Sequence, residues 1–170
     1  LLRQPLRLDA TIAPQTAGRD LQAGENRVWL TGLGGEYWAN GRSGVSESTA
    51  QSAGTFVGVT RRVSDRASLM AGVGYDGGRV ASVGATSTVN TFLGMLGGRY
   101  GFQTLDTGPY VTASASAGWV DYQASRPLGA GLGSASGHTN GGVASAMAGV
   151  GNVLRYAPVT ITPQIGFRLS

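Results

Sequence analysis

The chain has no cysteine among its 170 residues and no lysine, so all thirteen cationic side chains are arginine. The missing cysteine excludes a disulfide framework and a thiolate metal site. A single histidine, His138, excludes a multi-histidine metal centre. Charged residues make up only 13% of the sequence, about half of what a soluble domain carries. No apolar run approaches the ~18 residues of a spanning helix. The start, Leu1 to Leu8, holds Arg3 and Arg7 and no seven-residue apolar run, so no secretory leader is read there. The chain is expected either to stay inside the cell or to be an internal piece of something longer.

What is abundant is glycine, at 29 of 170 positions, more than twice its usual share. The sequence pI is near 10, which raises the question of nucleic acid. A nucleic-acid footprint needs a clustered basic face with stacking aromatics. Here the arginines are scattered and only Arg61, Arg62 and Arg66 lie close together. Arginines at strand ends are the better reading, and no nucleic-acid partner is expected.

From Arg27 onward apolar and small residues alternate with period two, which is strand behaviour. Seven strands are predicted, at roughly 27–39, 51–62, 67–79, 88–101, 109–123, 142–156 and 159–169. Their length suits a bilayer, which a tilted strand crosses in about 9–11 residues. The connections are predicted to alternate, with short turns at 63–66, 103–107 and 157–158 and longer Gly/Ser/Asn/Thr-rich loops at about 40–50, 80–87 and 124–141. Up-and-down membrane barrels have that layout.

The faces sharpen the argument. In the third strand Ala67, Leu69, Ala71, Val73 and Tyr75 oppose Ser68, Met70, Gly72, Gly74 and Asp76. In the fifth Val111, Ala113, Ala115, Ala117 and Trp119 oppose Thr112, Ser114, Ser116 and Gly118. The sixth sets Ala144, Ala146, Ala148 and Val150 against Ser145, Met147, Gly149 and Gly151, and the last sets Val159, Ile161, Pro163, Ile165, Phe167 and Leu169 against Thr160, Thr162, Gln164, Gly166 and Arg168. The apolar faces are almost free of ionisable groups, as hydrocarbon would impose. The other faces lack the bulk of a tight core but can line a wet lumen. Arg99, Arg155, Arg168, Ser114, Ser145, Thr162 and Gln164 are therefore expected to line a pore. Trp29, Tyr37, Tyr75, Tyr100, Trp119 and Tyr156 are expected at the lipid interfaces, where such barrels carry aromatic girdles.

Other motifs dissolve in context. Gly72-Val73-Gly74-Tyr75-Asp76-Gly77 matches G-x-G-x-x-G, but no helix follows to receive a pyrophosphate. His138 lies in the Gly/Ser-rich run 129–142 without a G-x-S-x-G elbow. Asn40-Gly41 and Asn140-Gly141 read as turns. No catalytic residue, cofactor or metal is expected.

Val28-Trp29-Leu30-Thr31-Gly32-Leu33-Gly34-Gly35, Gly54-Thr55-Phe56-Val57-Gly58-Val59, Ala71-Gly72-Val73-Gly74-Tyr75, Leu96-Gly97-Gly98-Arg99-Tyr100-Gly101 and Thr162-Pro163-Gln164-Ile165-Gly166 together resemble the translocator β-domain of bacterial autotransporters (type V secretion), over residues 27–170. The resemblance implies an all-β, transmembrane up-and-down antiparallel barrel of twelve strands in the bacterial outer membrane, of which about seven are present here. Residues 1–26, with Pro5 and Pro14 and a possible short helix near Thr16–Ala23, would be the linker or pore helix leading to an N-terminal passenger. The implied partners are that passenger and linker, outer-membrane lipid and the barrel-assembly machinery. The region itself would be no enzyme. Two alternatives stay open: a parent surface hydrolase (protease or esterase) carrying this barrel, or a simple porin or adhesin barrel.

Overall fold

The computed structural model describes residues 18–39, 47–129 and 132–169. It holds eight strands: β1 (Asn26–Ala39), β2 (Ser48–Arg62), β3 (Ala67–Ser82), β4 (Ala85–Gly101), β5 (Gly108–Pro127), β6 (Ser134–Tyr156), β7 (Val159–Ile161) and β8 (Gln164–Leu169). Each strand from β1 to β6 pairs antiparallel with the next, and β7 and β8 both pair with β6. The sheet is an antiparallel half-barrel. No described helix is long and apolar enough to cross a membrane.

β7 and β8 form one pass broken at a defined point. Leu154 faces Ile161 and Gly151 faces Gln164, so both pieces keep one register on β6. Between them Pro163 has no N–H to give to the ladder, although its carbonyl still accepts from Asn152 N at 3.1 Å. The strand expected at 159–169 is thus one continuous face with a gap in its hydrogen bonds.

The two ends of the sheet differ. The turn end carries the connections 63–66, 102–107 and 157–158. It is closed by Leu105 N donating to Asp65 O (2.8 Å) and Gly101 N to Arg66 O (2.7 Å), with the Leu105 side chain wholly buried. At the far end the expected loop lengths do not hold. β3 and β4 meet across Val83-Gly84 alone, where Gly84 takes φ +74, and β5 and β6 are joined by residues 128–133. The Ser/Thr/Gly-rich stretches read as loops run on as paired strand instead. Asn140-Gly141, expected as a turn, lies inside β6 opposite Asp121 and Val120; Asn40-Gly41 falls outside the described residues. Backbone pairing needs no apolar side chain, so polar composition hid these extensions. The asymmetry between the ends survives in another form, as strands that run long on one side only.

The short helix considered near Thr16–Ala23 is absent from its described part. Residues 18–25 are turns, tied by Leu21 N to Gly18 O (3.3 Å) and Glu25 N to Gln22 O (3.0 Å).

Candidate functional site

The sheet presents two unlike surfaces, and the pairing register sorts every residue between them. On the convex side one row runs Val28, Val59, Ala71, Leu96, Ala115, Ala146, Leu169 across all seven passes. These are apolar, mostly small, and together line a shallow transverse groove. Leu96 is 68% exposed and Leu169 77%. Two rows above lie Tyr75, Phe92 and Trp119, cross-strand neighbours of one another; Tyr75 and Phe92 pack with ring centroids 4.9 Å apart, and the Tyr75 hydroxyl donates to Asn90 Oδ1 (2.7 Å). Towards the turn end Tyr100 meets Phe102 edge to face at 5.8 Å. From Phe92 to Tyr100 the strand advances eight residues, or ~27 Å of chain and ~20 Å of height at ~40° tilt, near the ~25 Å apolar band of membrane barrels.

Four of the six expected interface aromatics, Tyr75, Tyr100, Trp119 and Tyr156, are exposed on this convex face. Two are not on it. Trp29 points to the concave side and is 7% exposed, while Val28 and Leu30 beside it face outward. It stacks on Phe56 at 5.9 Å and 8° between planes, and its indole N–H donates to Thr60 Oγ1 (3.0 Å). Tyr37 shares Trp29's phase at the far end of β1. An aromatic near a strand end fits either face by composition; the parity of its apolar neighbours decides.

The concave face is divided. Under β1–β4, Trp29, Phe56, Met70 and Met95 form an apolar cluster, with Leu33 and Leu93 packed against it. Phe56 fits because the positions across from it carry no side chain. A Cβ on Gly72 would lie 2.6 Å from the Phe56 ring, and one on Gly74 would fall on that ring and 2.8 Å from Thr55 O. The expectation that this face builds no apolar packing is corrected here: glycine on one strand makes room for an aromatic from the next.

Under β4–β8 the wall is polar and cationic. Six of the seven residues expected to line a pore belong to this face by register, and Thr162, between β7 and β8, follows Thr160 by alternation. Arg99 is 7% exposed and lies over the Tyr110 ring, 3.4 Å from its centroid, a cation–π arrangement. The Tyr110 hydroxyl donates to Gln164 Oε1 (3.0 Å), Ser116 and Ser145 share a hydrogen bond of 2.8 Å, and Thr162 Oγ1 accepts from Arg19 Nη2 (3.2 Å). Arg155 Nη2 lies 4.0 Å from Asp106 Oδ1. Ser114 sits between Gly97 and Met147, and Arg168 is directly opposite Met147.

At the turn end of this face is an arrangement that sequence reading missed. Arg62, the last residue of β2, has a side chain only 8% exposed. Its Nη1 donates to Leu21 O (2.9 Å) and Arg19 O (3.4 Å), both Nη atoms reach Asp106 Oδ2 at 3.3 Å, and Nε and Nη2 donate to Ser64 O and Asp65 O. Its backbone binds the same incoming segment, through Gly24 N to Arg62 O (2.7 Å) and Arg62 N to Glu25 O (3.1 Å). Arg61, Arg62 and Arg66 looked alike as strand-end arginines. Only the alternation of β2, which turns residue 62 inward with Phe56 and Thr60, sets Arg62 apart.

His138 is in β6, not in a loop, and its Nε2 pairs with Asp121 Oδ2 at 2.9 Å on an exposed patch. Among the described residues no serine joins them in a hydrogen bond. Among the described residues no group of three His, Cys, Asp or Glu side chains could hold a metal ion.

An up-and-down antiparallel sheet, greasy outside between aromatic rows and polar inside, is the wall of a transmembrane β-barrel. The family model for the autotransporter beta-domain matches residues 28–170, and the chain belongs to that family. Among solved structures it is similar to the translocator domain of autotransporter NalP from Neisseria meningitidis, with a TM-score of 0.78 and 22% identity over 97% of this chain. The chain spans 55% of that chain's length. No match was found among curated proteins. The fold is that of an outer-membrane translocator barrel, a transport architecture.

Proposed function

We propose that the chain is part of an outer-membrane barrel that anchors and secretes its own N-terminal passenger, the lumen being threaded by the linker ahead of β1. The observation that carries this reading is the course of residues 18–25. They cross the concave face at the turn end, where Gly18 is buried against Ser68 and Thr60, and pass straight into β1. A chain that arrives at β1 from the concave side is placed to come through the lumen. The turn end then faces the periplasm, as short turns do in such barrels, and the long strand extensions face outward. Residues 1–26 serve as linker and 27–170 as barrel wall, with lipid on the convex face and the barrel-assembly machinery acting during insertion. The pore-lining arginines and hydroxyls meet the threaded segment, and the barrel contributes no catalysis of its own.

The test places an epitope tag ahead of Leu1 in the full-length protein, expressed in a Gram-negative host. The tag is expected to be cleaved by protease added to intact cells. A tag that stays protected while the barrel shows the heat-modifiable gel mobility of a folded barrel contradicts the reading.

A further inference from the structure

We propose that Arg62 is the positioning residue for the threaded segment: it holds residues 18–25 as a strap across the periplasmic mouth by gripping their backbone. The inference rests on the translocator reading above and extends it to a named residue. An arginine at the end of a barrel strand ordinarily extends towards headgroups. Arg62 instead turns inward, becomes buried, and spends its donors on carbonyls. Its forked guanidinium suits this, since a fixed fork of donors can hold two carbonyls and a carboxylate together where a lysine offers a single point charge. Asp106, from the 102–107 turn, supplies the counter-charge that makes burial of the cation tolerable.

Two features show that the strap is seated and not merely near. A Cβ placed on Gly18 would lie 3.2 Å from the Ser68 Cβ and 3.4 Å from Thr60 Cγ2, so the strap lies flush on β2 and β3. Glycine also takes φ +52 there, which disfavours a side chain. On the opposite wall Arg19 bonds Thr162, so the segment is tied at both sides of the mouth. Arg62 takes hold of main-chain carbonyls at residues 19 and 21. Its grip therefore depends on where the backbone runs and not on which side chains the segment carries.

The experiment uses the full-length protein, folded in outer membranes, with a reactive cysteine introduced into this cysteine-free region. Leu21→Cys, at a position Arg62 grips through the backbone carbonyl and not the side chain, is expected to react slowly with a water-soluble maleimide. Adding Arg62→Ala is expected to raise that rate about tenfold, since charged hydrogen bonds contribute at least that factor to a docking equilibrium. Arg62→Lys keeps charge and stem but loses the fork. It is expected to fold even if the alanine variant does not, and to label several-fold faster than the parent. Barrel folding is read separately from heat-modifiable mobility, so a general loss of structure does not mimic undocking. Labelling at the parental rate in folded Arg62→Lys and Arg62→Ala overturns the proposal. Neither readout requires export, so a failed secretion test leaves this one standing and the reverse also holds.

Discussion

Phe56→Ala is expected to lower the unfolding free energy of the refolded barrel by about 3–5 kcal/mol, the range for removing a fully packed aromatic ring. The side chain is 1% exposed, stacks on Trp29, and lies in a recess made by Gly72 and Gly74 on the neighbouring strand. In most membrane barrels the inner wall is wet and tolerant, so a loss of this size from a lumen-side position is specific to this arrangement. The same geometry makes a second expectation. Gly74→Ala alone drives a methyl into the ring and costs about 1–3 kcal/mol by overpacking. In the Phe56→Ala background the clash with the ring is gone and only the approach to Thr55 O remains, so the two changes should combine to less than their sum. Urea unfolding of the full-length protein in detergent micelles, run on the four members of the cycle, measures this coupling. Strict additivity would mean that the ring and the glycine do not share the space the structure assigns them.

The second large effect belongs to the convex face. Ala115 sits midway between the Trp119 row and the Tyr100 row, with Leu96 and Ala146 on either side. Ala115→Arg is expected to cost about 2–4 kcal/mol, the penalty for arginine at the midplane of a membrane barrel's lipid face. One residue along, Ser116 turns inward to share a hydrogen bond with Ser145. Ser116→Arg should cost only about 1 kcal/mol, for the lost hydroxyl contact. The comparison is informative because both changes introduce the same large cation into the same strand one residue apart. Only the medium on each side differs.

How much of this was legible beforehand follows from what each residue could signal. The faces of β3, β5, β6 and the β7–β8 pass were readable, because Ala, Val and Leu alternate there with Ser, Thr and Gly, and a one-residue slip would expose the whole set to the wrong side. The side of the sheet on which the seven residues expected in a pore fall followed from that parity. Trp29 was misplaced because position near a strand end suggests a girdle, whereas its flanking Val28 and Leu30 already occupy the lipid side. The strand extensions of β3 to β6 were hidden by their own composition. Ser, Thr, Asn and Gly describe a solvated loop and a solvated strand equally well, and the ladder that distinguishes them, such as Tyr122 opposite Val89 and Gln123 opposite His138, is a property of two segments at once. Arg62 was illegible for the same reason. Its partners, Arg19, Leu21, Ser64, Asp65 and Asp106, come from the segment ahead of β1 and from two separate turns, and no local spacing announces that they converge.

The account stands on hydrocarbon covering the convex side of the sheet, and site-directed spin labelling reads that directly. Single cysteines at Val57, Val73 and Ala115 on one side, and at Ser114 and Ser116 on the other, are labelled in the full-length protein reconstituted in lipid bilayers. Collision with dissolved oxygen, which concentrates in lipid, should dominate at the first three. Collision with a water-soluble nickel chelate should dominate at the two serine positions, so that the preference flips at every step from 114 to 116. Equal access of the chelate to Val57, Val73 and Ala115 would contradict the account, for it would mean that water or protein, and not lipid, faces them.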